Sequence, residues 1–159
     1  MRLTKFSDYA LRVLLLAASR PGRNVTIEET AALFDISAAH LKKVVRLLSS
    51  EGLLQATRGK SGGYQLARPA EEIGLGKVLR LTEPDFGMVE CFLPSNSCVL
   101  TQPCRLPLVI NEALFAFVEV FDAYSLADIA IEARHFDRAW RKPGLAAKAR
   151  RGPQLPPEA

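Results

Sequence analysis

Residues 26–66 read TIEETAALFDISAAHLKKVVRLLSSEGLLQATRGKSGGYQL, and this stretch decides the fold. Thr26 and Glu29 have the spacing of a capping box, in which the hydroxyl accepts from a backbone amide and the carboxylate reaches back, so a helix is predicted to begin there. Apolar residues recur up to Phe34, two residues make a turn, and Ser37 caps a further helix. A helix, a short turn and a second helix make a helix-turn-helix.

A hairpin is predicted directly after the second helix. Two short strands flank the segment Arg58-Gly59-Lys60-Ser61-Gly62-Gly63, whose glycines allow close backbone approach and whose cations suit phosphates. A phosphate-binding enzyme loop is disfavoured because neither GxxxxGK[ST] nor GxGxxG is present, whereas a plain β-turn stays open as an alternative. We interpret the hairpin as the wing of a winged helix.

The predicted DNA contacts lie on the outer side and at the N-terminal end of the second helix, where a recognition helix meets base edges and phosphates, and in the wing. They are Ser37, Ala38, Ala39, His40, Lys42, Lys43, Arg46, Arg58, Gly59, Lys60, Ser61, Gly62 and Gly63.

Further helices are predicted on both sides of this stretch. The first covers residues 4–19, a short one covers about 75–81, and a long one covers 106–124 with a wide apolar stripe. That stripe must pack on something, and either a twin helix from a second subunit or the chain's own first helix would cover it. A last short segment, capped by Ser125, ends near residue 132.

These elements predict a mainly α fold with a small β-hairpin wing, namely a winged helix-turn-helix plus a long dimerisation helix. The predicted units are a DNA-binding domain over 1–82, a cysteine-containing cluster-binding loop over 83–105, a dimerisation helix and C-terminal segment over 106–140, and a disordered basic tail over 141–159.

Charge is divided unevenly along the chain, which has a net charge of +4. Residues 1–70 carry 11 Lys/Arg against 5 Asp/Glu, a balance of +6, whereas residues 71–140 carry 5 against 11, a balance of −6. A basic first half favours a polyanionic partner, although a solvated charged surface would look the same. No apolar run is long enough to span a membrane and no secretion signal is evident, so a cytoplasmic protein is expected.

All three cysteines, Cys91, Cys98 and Cys104, fall within fourteen residues of the loop. The spacing C-x6-C-x5-C is wider than structural zinc sites prefer, and no fourth Cys or His is nearby. Wide gaps in a loop suit an iron–sulfur cluster held by thiolates, which would leave one iron with a different ligand. Three ordinary thiols and a thiol–disulfide switch remain alternatives.

Several segments together resemble a known family. They are Met1-Arg2-Leu3-Thr4, Ser7-Asp8-Tyr9-Ala10-Leu11-Arg12, the wing Arg58-Gly59-Lys60-Ser61-Gly62-Gly63, Val89-Glu90-Cys91, Cys104-Arg105-Leu106 and Asp122-Ala123-Tyr124-Ser125-Leu126-Ala127-Asp128. Over roughly residues 1–131 the chain resembles the NsrR family, the nitric-oxide-sensing repressors within the Rrf-two superfamily of winged-helix regulators. The first cysteine gap is longer than the family pattern leads us to expect, and position 107 is Pro, where the iron–sulfur-biogenesis regulator of the superfamily carries a ligand His.

The resemblance implies a homodimer that binds palindromic promoter DNA. It also implies one cluster per subunit, a [4Fe–4S] cluster on Cys91, Cys98 and Cys104, completed across the dimer by Asp8, with DNA released when nitric oxide reacts. Read from the sequence alone, Asp8 and Arg12 stand at i and i+4 and make an ordinary helical ion pair.

The leading hypothesis is therefore an iron–sulfur repressor that senses nitric oxide. An iron-responsive or thiol-redox-responsive regulator of the same superfamily is the alternative, and a small redox or metal-trafficking protein that does not use DNA is a more distant one. No paired carboxylates, nucleophile–base set or cofactor fingerprint appears in the sequence, so an enzyme is not expected.

Overall fold

The computed structural model describes residues 2–59, 62–100 and 102–140. The predictions made for Lys60, Ser61 and the tail over 141–159 fall outside these ranges.

The fold is mainly helical with one two-stranded hairpin, as predicted. The helices are α1 (Lys5–Ala18), α2 (Ile27–Phe34), α3 (Ala38–Ser50), α4 (Leu75–Thr82), α5 (Leu106–Asp122) and α6 (Ala133–Trp140), with 3-10 turns at Ala70–Glu72, Glu90–Phe92 and Ala127–Ile129. Strands β1 (Leu54–Thr57) and β2 (Gly63–Leu66) pair antiparallel, with Leu54 opposite Leu66 and Thr57 opposite Gly63.

Side-chain caps set the starts of the first three helices. The hydroxyls of Thr4, Thr26 and Ser37 accept from backbone amides in the first turn of α1, α2 and α3 respectively. Only one half of the predicted capping box is present, because the Glu29 carboxylate pairs with Arg23 at 3.0 Å instead of reaching back. Between α2 and α3, Asp35 takes a left-handed conformation with φ 54°, which produces the sharp turn of the motif.

The core is centred on α1. Ala10, Val13 and Leu14 have no exposed surface, and α1 packs against α3, α4 and β2. Tyr64 fixes strand β2 in place. Its backbone amide donates to the carbonyl of Val25, and the amide of Val25 donates to the carbonyl of Tyr64, both at 2.8 Å. Its buried hydroxyl shares a hydrogen bond of 2.6 Å with Thr30, and burial raises the Tyr64 pKa. The hairpin is therefore attached firmly to the helix-turn-helix.

Helix α5 packs on α4, and the bidentate Arg80–Asp122 ion pair joins the two helices. The outer face of α5 is exposed within the chain, with Phe115 74% accessible. The chain's own first helix, one of the two coverings left open by the sequence, does not cover this face. No described helix has the length and apolar character needed to cross a membrane.

Helix α6 was not predicted, since the last ordered segment was expected to end near residue 132. It is only eight residues long, too short for its periodicity to stand out in the sequence. Its buried residue Phe136 joins the core and packs against α2, so tertiary contact gives this helix its place.

Candidate nucleic-acid interface and cysteine site

The predicted recognition surface on α3 is open to solvent. Leu41, Val44 and Leu48 face inward with no exposed surface, so the opposite side of the helix faces out. Its predicted contact residues are exposed, apart from the half-buried Ala38: Ser37, Ala39, His40, Lys42, Lys43 and Arg46. A helix N-terminus with outward cations can meet phosphates and base edges in a major groove.

The N-terminal end of α3 is held in place by its own side chains and by α1. Ser37 caps the helix, and its hydroxyl also lies 2.9 Å from Nδ1 of His40. The His40 ring in turn lies beside Tyr9 of α1, with the ring centroids 6.3 Å apart. The residues that begin the recognition helix are therefore positioned before any ligand binds.

The wing keeps its shape through its glycines. Gly59 has φ +109°, a conformation that L side chains rarely adopt. A Cβ on Gly63 would lie 2.5 Å from the carbonyl oxygen of Val25, so only glycine lets β2 run this close to the α1–α2 connection. Arg58 is exposed at the tip, whereas Gly62 and Gly63 are half-buried. The glycines thus shape the wing, and among its described residues Arg58 supplies the positive charge.

The cysteine loop is pinned at one point by a hydrogen-bonded carboxylate. Glu90 Oε1 accepts from the Ser97 hydroxyl at 2.7 Å and from the Ser97 amide at 3.2 Å, and these bonds lower the pKa of Glu90. Because Glu90 precedes Cys91 and Ser97 precedes Cys98, this link draws the neighbourhoods of the first two cysteines together.

The three cysteines occupy different settings and form no disulfide with one another. Cys91 lies in the 3-10 turn and is half-buried, Cys98 is exposed, and Cys104 is half-buried just before α5. Within the described residues, no three His, Cys, Asp or Glu side chains come together in a way that could hold a metal ion. The donor chemistry fits an iron–sulfur cluster, because three thiols lie in one loop, but the loop must close further to bind one.

The carboxylate expected to complete the cluster lies on α1 and is already paired. Asp8 Oδ2 is 2.8 Å from Arg12 Nη2, and Arg12 Nε donates to Asp8 Oδ1 at 3.1 Å. Both side chains are more than two-fifths exposed. An exposed i, i+4 pair contributes only about 0.3–0.5 kcal/mol, so Asp8 can leave it at little cost.

A contact between Thr4 and Glu83, which the sequence did not predict, connects the loop to α1. The Thr4 amide donates to Glu83 Oε1 at 2.9 Å, and the Thr4 hydroxyl donates to the same oxygen at 3.2 Å. Glu83 ends α4 and begins the loop, whereas Thr4 caps the helix that carries Asp8. These two bonds link the loop entrance to the start of α1.

Sequence reasoning missed four contributors to this site: Tyr9, Glu83, Glu90 and Ser97. Tyr9 lies within the opening segment that carried the resemblance, so its position was visible although its contact with His40 was not. Glu90 also lies in a segment quoted for the resemblance, although its bond to Ser97 was not visible. Glu83 and Ser97 gave no local signal, because their roles depend on partners 79 and 7 residues away.

A capped recognition helix followed by a glycine-shaped basic hairpin defines a winged helix-turn-helix protein of the DNA-binding class. A family model described as Rrf2, iron-dependent transcriptional regulator, matches residues 3–132. The chain belongs to the Rrf2 family of transcriptional regulators, as its resemblance predicted.

Named relatives and a solved structure agree with this assignment. The HTH-type transcriptional regulator NsrR of Bacillus subtilis is 45% identical over 131 residues, which are 81% of this chain and 90% of that protein. NsrR of Geobacillus kaustophilus is 47% identical, with 81% and 89% covered. The crystal structure of Staphylococcus aureus CymR matches with a TM-score of 0.63 at 26% identity, covering 80% of this chain and 96% of that one.

Proposed function

We propose that this protein is a homodimeric transcriptional repressor that senses nitric oxide through an iron–sulfur cluster and releases promoter DNA in response. Cys91, Cys98 and Cys104 would hold one [4Fe–4S] cluster per subunit, and Asp8 of the other subunit would complete it. The protein would act on double-stranded DNA in the cytoplasm.

One observation carries the proposal. The loop that contains all three cysteines begins at Glu83, which is bonded to Thr4 at the start of α1, and α1 packs directly on the recognition helix α3. Any change that closes or opens the loop therefore acts on the base of the DNA-reading element. The cluster, when bound, supplies an iron that nitric oxide can attack, and the protein transmits the consequence through its own contacts.

The route from the sensor to DNA runs along the first turns of α1. Asp8 would leave its pair with Arg12 to serve as a ligand of the cluster, and an exposed pair of this kind is worth only about 0.3–0.5 kcal/mol. The adjacent residue Tyr9 contacts His40 at the start of α3, so a shift of α1 changes the position of the recognition helix. In a dimer that reads two half-sites about one helical turn apart, a small rotation of each recognition helix weakens binding.

The exposed face of α5 supports the homodimer. Leu108, Val109, Phe115 and Val120 are each more than half accessible on one helix. Apolar surface of this extent marks an interaction site, and a second copy of the same helix is self-complementary.

Native mass spectrometry of protein purified without oxygen tests the cluster and the signal together. We expect a dimer with one cluster per subunit that gains nitric oxide adducts when sub-stoichiometric nitric oxide is added. Cys91→Ala, Cys98→Ala and Cys104→Ala should each lose the cluster, whereas Ser95→Ala in the same loop should keep it. A dimer that carries zinc or no metal, and does not react, would refute the proposal.

DNA binding requires a separate test, with a labelled duplex selected from a random-sequence pool by the intact protein. Asp8→Ala should retain a cluster but lose much of the difference in DNA affinity with and without nitric oxide. An unchanged difference in that variant would remove Asp8 from the mechanism. Cluster loss at a low chelator dose, with no response to nitric oxide, would instead identify an iron-responsive regulator.

A thiol-redox regulator is the second candidate, because Cys98 is exposed and forms no disulfide, so an oxidant can reach it. It predicts that mild oxidant changes DNA affinity in metal-free protein and that reductant reverses the change. Peptide mapping would then find a disulfide between two of the three cysteines.

A further inference from the structure

Helix α6 follows the last residue that the family model matches, yet it packs on the helix-turn-helix. Of residues 133–138, only Phe136 is buried, at 8% accessible surface. Its ring meets Phe34 of α2 edge-on, with centroids 6.3 Å apart and an interplanar angle of 88°. Edge-to-face aromatic pairs of this geometry stabilise a contact beyond the area they bury.

An ion pair holds the same helix to the end of α1. Arg20, in the turn after α1, donates to Asp137, which follows Phe136. The Arg20 side chain is only 16% accessible, whereas Asp137 is 50% accessible, so the pair lies at the protein surface with one partner open to solvent. Helix α6 therefore bridges the end of α1 and the end of α2, using two adjacent residues.

Helix α6 docks through few side chains, since only Phe136 of residues 133–138 is buried. A cavity of about 710 Å³, half open to solvent, lies beside Phe136 and is lined by Leu16, Leu33 and Arg20 among others. An eight-residue helix is not stable in isolation, so its folding depends on its docking. Release of Phe136 would therefore unfold α6 and expose Phe34.

Phe34 also contacts the carboxylate–arginine pair of α1. The Arg12 guanidinium carbon lies 5.7 Å from the centroid of the Phe34 ring, and the same guanidinium pairs with Asp8. Contacts thus run without a gap from Asp8 through Arg12 and Phe34 to Phe136.

We propose that α6 is an intramolecular latch on the helix-turn-helix, and that its docking is energetically coupled to the Asp8–Arg12 pair. A docked Phe136 fixes the Phe34 ring on which Arg12 rests and so favours the closed pair. A released α6 frees that ring and makes Asp8 easier to recruit elsewhere. Because coupling between two sites is reciprocal, disturbing Arg12 must also loosen α6.

Hydrogen exchange of the full-length, metal-free protein tests this coupling. Phe136→Ala should speed exchange of amides 133–138 by about tenfold or more, since they lose their docking contact. Arg12→Ala should speed the same amides by about threefold although it lies on α1, and the double variant should show less than the product of the two effects. His135→Ala on α6 and Lys5→Ala on α1, both exposed positions, are the matched controls and should change nothing.

If amides 133–138 exchange at the same rate in Arg12→Ala as in the unmodified protein, the coupling is refuted. Multiplicative effects in the double variant would do the same. If Phe136→Ala lowers the stability of the whole protein, exchanging the charges of the Arg20–Asp137 pair provides a second test. Asp137→Arg should loosen α6, and adding Arg20→Glu should restore most of its protection. If adding Arg20→Glu does not restore the protection of amides 133–138, the proposed latch is wrong.

The coupling between α6 and the Asp8–Arg12 pair does not depend on the proposed function. Only the later role of Asp8 as a cluster ligand rests on it. The exchange experiment uses protein without metal, so absence of a cluster would defeat the proposed function and leave the latch untouched. Conversely, the protein could bind a cluster and respond to nitric oxide while Arg12→Ala leaves the exchange of amides 133–138 unchanged. That result would refute the latch alone.

Discussion

Two regions of this molecule differ in how fully a single chain buries their apolar side chains. The DNA-reading half comprises residues 2–59 and 62–82, and the cysteine half comprises the described part of 83–122. In residues 2–59 and 62–82, side chains of α1, α3 and β2 are buried without exposed surface, and the helix starts have caps. In the described part of 83–122, Val118 is the one buried apolar residue, and Val99 is 92% exposed.

This difference in burial fits the roles that we propose for the two halves. A recognition helix must be rigid before it meets DNA, since ordering it on binding would lower the affinity. A sensor must instead have two arrangements of similar free energy, so that a small signal can shift the balance. The loosely packed loop and the bare face of α5 suit the second requirement, and the proposed cluster and second subunit would complete them.

The largest expected effect compares one leucine from each half. Leu48→Ala removes a fully buried side chain from α3 and should lower the free energy of unfolding by about 2–5 kcal/mol. Leu100→Ala in the cysteine loop, where Leu is 59% exposed, should change it by less than about 0.5 kcal/mol. Urea denaturation measures both, and equal effects would break the distinction between the halves.

The second prediction concerns the exposed face of α5. Phe115→Asp places a charge in the proposed dimer contact, so the dimer dissociation constant should rise by at least about thirtyfold, as for a central interface residue. Sedimentation equilibrium reports the constant directly. Glu112→Gln, an exposed position on the same helix, is the control. If Phe115→Asp dimerises as tightly as the unmodified chain, α5 does not form the interface.

A smaller effect is expected from a single cation of the recognition helix. Lys43→Ala should weaken DNA binding and reduce the slope of log affinity against log salt by about 0.9, the value for one lost phosphate contact. Fluorescence anisotropy with a labelled duplex over a salt series measures the slope. Lys77→Ala removes an exposed lysine from α4 and should leave the slope unchanged. Equal slopes for both variants would contradict the assignment of α3.

The smallest predicted effect is a change in pH dependence. Asp128 accepts from the amide and the hydroxyl of Ser125, both at 2.7 Å, and these bonds lower its pKa in the folded protein. The stabilisation is therefore complete above the unfolded-state pKa of about 3.9 and is lost as the pH falls through the folded-state pKa. Asp128→Asn should flatten the decline of the melting temperature below about pH 4, whereas the control Glu71→Gln should not.

Sequence patterns predicted most of the fold because the signals are local. Helix starts depend on a cap and an amide three residues later, as at Thr26 and Ser37, and the buried faces of α1 and α3 follow helical spacing. In the described part of residues 83–105, the secondary structure is the short 3-10 turn Glu90–Phe92. The site residues and the domain limits stay predictions, which the proposed experiments test.

The sequence by itself determined a winged helix-turn-helix, a basic reading surface and three cysteines in one loop, because caps, glycines and periodicity act over a few residues. Only the tertiary structure decided that Thr4 binds Glu83, 79 residues away, and that Arg20 binds Asp137, 117 residues away. Such pairs leave no local pattern, since they form only after the core has brought distant surfaces together. Apart from the local Asp8–Arg12 pair, the contacts that we propose to link the cysteine loop, α6 and α3 are of this long-range kind.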